Sequence, residues 1–93
     1  MLVKKQFKES ETHYDNKGNI LEEITYKQGK VNKHFRYQYD QDGNKIKEEK
    51  FDPSGKLIEF SEYKIENGFR VEKIVYDANR RIKSRKIYQY TTF

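Results

Sequence analysis

The sequence predicts an all-β fold: one antiparallel up-and-down meander of about seven strands in a twisted or curled repeat sheet. Three observations predict it. Turn residues recur about every twelve positions, at 15–19, 27–30, 40–44, 52–56, 65–68 and 77–80. Between them apolar and polar residues alternate with period two, as they do when successive side chains point to opposite faces of a sheet. Residues 14–50 and 51–87 are also two copies of one 37-residue unit: Tyr14-Asp15-x-x-Gly18-Asn19 aligns with Phe51-Asp52-x-x-Gly55-Lys56. Such repeats stack into extended arrays.

The strands fall near 3–13, 20–26, 31–39, 45–51, 57–64, 69–76 and 81–91. In the first, Phe7 precedes Lys8-Glu9-Ser10-Glu11, an uneven pattern that reads as a cap. In the second, Ile20, Ile24 and Tyr26 alternate with Leu21, Glu23 and Thr25. The third alternates Val31, Phe35, Tyr37 and Tyr39 with Asn32, His34, Arg36 and Gln38. This predicts one wetter and one drier face, with Phe35, Tyr37 and Tyr39 joining Tyr26, Tyr63 and Val75 on the buried one. The fourth strand alternates weakly, which predicts solvent on both sides or a thin part of the sheet. Short connections make neighbouring strands antiparallel. Helix-friendly runs such as Lys47-Glu48-Glu49-Lys50 are too short between turns to form helices.

The turns carry their own chemistry. Asp15, Asp40, Asp52 and Asp77 can accept bonds from turn amides. Gly18, Gly43 and Gly55 can take the left-handed conformation. Pro53 fits the second position of a turn. Asp42-Gly43 and Asn67-Gly68 are dipeptides of type I′ hairpin turns.

The chain is 93 residues long, enough for one small domain over 1–93. Leu, Ile, Val and Phe number 21 of these, near the low edge for a packed globule. Eight Tyr add rings that bury well while the hydroxyl stays wet. So small a core predicts marginal stability for a monomer, relieved by a curled sheet or by a partner on one face.

There is no cysteine, which excludes disulfides, thiolate nucleophiles and cysteine-based zinc sites. No apolar run is long enough for a helical membrane span. Met1-Leu2-Val3-Lys4-Lys5 lacks the apolar stretch of a secretory signal. A native start at Met1 would mean a cytoplasmic protein, and a trimmed start a secreted or surface one.

No residues assemble a catalytic pattern. Glu22-Glu23 and Glu48-Glu49 are adjacent strand residues and face opposite ways. The serines lack a nucleophile elbow. His13 and His34 read as surface strand residues rather than metal ligands. Asp40-Gln41-Asp42-Gly43-Asn44 lacks the late glutamate of a calcium loop. The expectation is a non-enzyme without cofactor or metal.

Charge placement is the functional signal. Residues 1–78 hold 15 basic and 15 acidic residues, so the net +5 lies entirely in 79–93. On an unbroken strand Arg81, Lys83 and Arg85 share one face, while Lys86, Tyr88 and Tyr90 share the other. Basic residues interleaved with aromatics can bind single-stranded nucleic acid. The plainer reading is an edge strand protected by charge. An anionic protein partner is a third. Arg81, Lys83, Arg85, Tyr88 and Tyr90 are the expected partner surface, with nucleic acid the less favoured partner and edge-paired homodimerisation an alternative.

At Tyr14-Asp15-Asn16-Lys17-Gly18-Asn19, Tyr39-Asp40-Gln41-Asp42-Gly43-Asn44 and Tyr76-Asp77-Ala78-Asn79-Arg80-Arg81-Ile82 the chain resembles the YD repeats of the RHS family. The resemblance spans 14–90 and implies a β strip of hairpins. In that family long strips form shells around toxin domains or surface binding regions. The resemblance therefore implies a non-catalytic interaction or structural module linked to a toxin or effector system. Arg80 departs from the motif where glycine is expected, so this turn either bears a steric cost or changes type.

Overall fold

A computed structural model describes residues 9–90. The parts of the first and last predicted strands at 3–8 and 91, Phe7 with them, lie outside the described residues.

Seven strands form one sheet in sequence order, every neighbour antiparallel. They are β1 (Ser10–Tyr14), β2 (Ile20–Lys27), β3 (Lys30–Tyr39), β4 (Lys45–Phe51), β5 (Leu57–Glu66), β6 (Phe69–Asp77) and β7 (Ile82–Ile87). β1 and β7 do not pair, so the sheet stays open. No helix long and apolar enough to cross a membrane occurs among the described residues.

Two kinds of turn build the meander. Four are Asp turns, after Tyr14, Tyr39, Phe51 and Tyr76. In each, the Asp N–H donates to the carbonyl four residues on, and the residue three positions on donates back to the Asp carbonyl, as in Asp52 to Lys56 (2.8 Å) and Gly55 to Asp52 (2.9 Å). The Asp carboxylate accepts two further amide protons, from Ser54 at 2.9 Å and Lys56 at 3.0 Å in this turn. Gly18, Gly43 and Gly55 hold φ between 85° and 90° at the third position. Arg80 does the same at 65° and bonds back to Asp77 at 3.0 Å. Arg80 therefore keeps the turn type and bears the steric cost.

The other two turns are two-residue hairpins with positive φ at both positions, Gln28-Gly29 and Asn67-Gly68, as type I′ requires. Asp42-Gly43 is not a type I′ turn, contrary to expectation. Only Gly43 has positive φ, because Asp40 closes the longer loop around both residues.

Register explains the aromatic before each Asp. Every Asp turn ends in a bulge that sets that aromatic opposite the first residue of the next strand: Tyr14 with Ile20, Tyr39 with Lys45, Phe51 with Leu57 and Tyr76 with Ile82. Directly opposed side chains share a face and touch.

Following these pairs across the sheet sorts the residues into two faces. One carries Glu11, Glu22, His34, Arg36, Phe51, Phe60, Ile74, Tyr76 and Arg85. We call it the His34 face. The other carries Phe35, Tyr37, Glu48, Ser61, Tyr63, Lys73, Val75, Ser84 and Lys86, the Tyr63 face. No described element lies over either face. Among the described residues only Phe60 (8% exposed), Ser61 (6%) and Tyr63 (8%) are buried. All three lie on β5.

The expected wet and dry faces are therefore replaced by two half-buried ones. Phe35, Tyr37, Tyr63 and Val75 do share a face. Tyr26 is on the opposite one, donating its hydroxyl to Glu11 at 3.4 Å. The repeat explains this. Its 37 residues hold three strands, and both numbers are odd, so the second copy runs in the reverse direction with its faces exchanged. Tyr26 becomes Tyr63 on the other side.

Long charged side chains take the place of a second layer. β4 is the central strand, and all of it but Lys50 is half-buried, so of the two expectations solvent on both sides does not hold, while a thin, one-layer sheet does. Lys45 sits 4.9 Å from the Tyr37 ring centroid and 5.5 Å from that of Tyr63. Lys47 lies 5.1 Å over Phe60, which stacks on Tyr76 at 4.7 Å. Lysine and arginine stems cover apolar surface while their heads stay wet, and the cation gains from the ring quadrupole.

Candidate functional site

The residues expected as a partner surface lie at the C-terminal end of the sheet, in an arrangement that differs from the expected one. Among the described residues β7 pairs only with β6, and all six of its residues are exposed. Opposite Val75 and Tyr76 it carries a bulge that leaves Lys83 as an extra residue. The bulge breaks the alternation, so Lys83 and Arg85 do not share a face. Lys83 reaches Glu59 at 2.8 Å on the Tyr63 side, while Arg85 reaches Glu72 at 3.7 Å on the His34 side. The Glu59 carboxylate holds the Lys83 ammonium pKa above its ordinary value. Arg81 remains in the turn, its amide donating to Asp77.

Tyr88 continues along β6, donating its amide to the Val71 carbonyl at 3.0 Å, with Lys86 4.9 Å above its ring. Tyr90 clamps the start of β6. Its hydroxyl donates to the Arg70 carbonyl at 2.6 Å and its ring meets Phe69 at 5.1 Å.

The basic cluster that the fold does assemble is centred on Tyr63. Arg70 lies 3.9 Å over that ring, and Lys45 and Lys73 approach it at 5.5 and 5.6 Å. Lys73 stands between Tyr63 and Lys86 in one cross-strand row. Lys45 is neutralised by Glu48 at 3.1 Å. Arg70, Lys73 and Lys86 have no carboxylate partner among the described residues. Burial pushes the Tyr63 and Tyr37 hydroxyl pKa values up, so both stay neutral. Sequence reasoning missed this cluster because its members lie on four strands.

A second cluster escaped it too. On the His34 face Glu22 accepts from Arg36 at 2.9 Å and lies 2.7 Å from His34 Nε2, with His13 at 4.0 Å. His34 also packs on Phe51 at 4.9 Å. Bonding to His34, then to Arg36, holds the Glu22 pKa below its ordinary value. This is an ion network across three strands. No group of three metal-ligating side chains occurs among the described residues.

The described residues also form shallow dishes. One of about 510 Å³ is lined by Asp15, Asn19, Leu21, Tyr37 and Tyr39, and one of about 230 Å³ by Lys47, Phe60, Glu62, Tyr76 and Arg80. Asp15, Asp40, Asp52 and Asp77, expected as turn residues, all do turn work. Amide donors, and at Asp52 first the Ser54 hydroxyl, hold their carboxyl pKa values low.

No family model matches this sequence, and neither does a curated protein or a solved structure.

Proposed function

We propose that this chain is a non-catalytic protein-interaction or structural module. The observation that carries the reading is a one-layer sheet whose two faces and two edges are uncovered by any described element. Exposed edges and half-covered aromatic faces are surfaces on which other chains dock. The likeness of the Asp turns to YD repeats supports a link to a toxin or effector system. The nucleic-acid alternative loses support, because Lys83 and Arg85 are on opposite faces and each engages a glutamate.

The test is a pull-down with the tagged chain, washed at low and high salt, followed by light scattering of the free protein. A discrete protein kept at high salt, or a homo-oligomer, is the expected result. Nucleic acid released by salt would transfer the function to the alternative. A monomer that retains nothing would overturn the reading.

A further inference from the structure

We propose that the outer edge of β7 accepts an extended acidic segment of a partner protein as an eighth strand. This rests on the interaction-module reading and names the partner's chemistry.

Three observations converge on that edge. No described residue pairs with it, so its outward amide and carbonyl groups have no partner among the described residues. Edge strands are often guarded by charge, and β7 carries Lys83, Arg85 and Lys86, which turn away basic segments and leave acidic ones. At its two ends it keeps Ile82 and Ile87 57% exposed, in line with the His34-face residues Tyr76 and Glu72. On the Tyr63 face the row Tyr63, Lys73, Lys86 runs across three strands and stops at the edge. Lys73 and Lys86 have no carboxylate partner among the described residues, whereas Lys83 and Arg85 do.

An added strand places one residue opposite Lys86 on the Tyr63 face, and its alternate residues beside Ile82 and Ile87. The complementary segment carries Glu or Asp on one side and aliphatic residues on the other. Cross-strand pairs of opposite charge and of apolar residues stabilise such an addition, and main-chain bonds supply the rest.

A nucleic acid fits less well. Arg70 and Lys86 lie over the Tyr63 and Tyr88 rings on which bases would stack, Tyr90 packs against Phe69, and Lys83 and Arg85 already engage glutamates. A second β7 would set Lys83, Arg85 and Lys86 against their own copies, which repel.

The probe is a nine-residue peptide alternating Glu and Val, titrated into isotope-labelled protein and followed by amide shifts. Three controls accompany it: a Lys-Val peptide, a Glu-Val peptide N-methylated at alternate amides, and oligothymidine. The expected result is shifts over 82–87 with the Glu-Val peptide, abolished by N-methylation. Lys86→Glu should weaken binding about fivefold, while Lys64→Glu, on another strand and the other face, should not. Equal binding of the Lys-Val peptide, binding indifferent to N-methylation, no peptide binding, oligothymidine binding in its place, or β7-mediated dimers would each overturn the proposal. A protein partner that binds the Lys86→Glu chain undiminished would remove the β7 assignment and leave the module reading standing.

Discussion

The Arg70 guanidinium lies 3.9 Å above the ring centroid of Tyr63, the most enclosed aromatic of the Tyr63 face. In a one-layer sheet this lid does what an opposing layer does elsewhere. Tyr63→Ala should cost about 3 kcal/mol, as for other buried aromatics. Arg70→Ala should cost about 1 kcal/mol through lost cation–π attraction and stem packing. Tyr63→Phe should be near neutral. Urea midpoints followed by circular dichroism would check the order.

Arg80 alone among the third turn positions is not glycine, and its φ is 65°. Arg80→Gly should stabilise by about 0.5–1 kcal/mol, the relief of the left-handed strain less the added chain entropy. Gly43→Ala, at φ 85°, should have the opposite sign. Thermal melts of the two variants would show whether strain governs these turns.

Asp52 accepts from two amides and from the Ser54 hydroxyl at 2.6 Å. Asp52→Asn keeps an acceptor oxygen and Asp52→Ala does not. Amide exchange at Ser54 and Lys56 should therefore speed up strongly in the alanine variant and only slightly in the asparagine one. Equal exchange in both would show that Pro53 and Gly55 alone make the turn.

Five carboxylates have folded-state pKa values below their ordinary ones: Glu22 and the four turn aspartates. A depressed folded value means the unfolded chain binds protons more readily. Their stabilisation is complete above the ordinary carboxylate range, about pH 4, and is lost as pH falls through the depressed values. The chain should keep its urea midpoint from neutral pH down to about 5 and lose it steeply below about 4. Glu22→Gln should make that fall shallower. An unchanged slope would mean that the His34 and Arg36 contacts contribute nothing net.

What could be read from the sequence was whatever chemistry closes within a few residues. Asp15, Asp40, Asp52 and Asp77 bond amides two and four positions away, so a string of letters contains both partners. The alternation of β3 gave its strand, and the short connections gave its neighbours' direction. The faces were not legible, because each Asp turn ends in a bulge that shifts the count by one. That shift put Lys83 and Arg85 on opposite sides. Glu22, His34 and Arg36 meet only through register, and the Tyr63 cluster draws on β4, β5, β6 and β7. The weak alternation of β4 looked like a solvated strand, because a lysine that roofs a tyrosine is written the same way as one in water.

The odd residue and strand counts of the repeat also decide what growth by duplication can produce. Each duplicated segment joins the strip turned over, so its oily residues go to the side its parent left poor. With an even number of copies the two sides are evenly matched, and with an odd number they differ by a single copy. Neither accumulates enough grease to recruit a second layer, and the lineage lengthens into a ribbon without thickening into a globule.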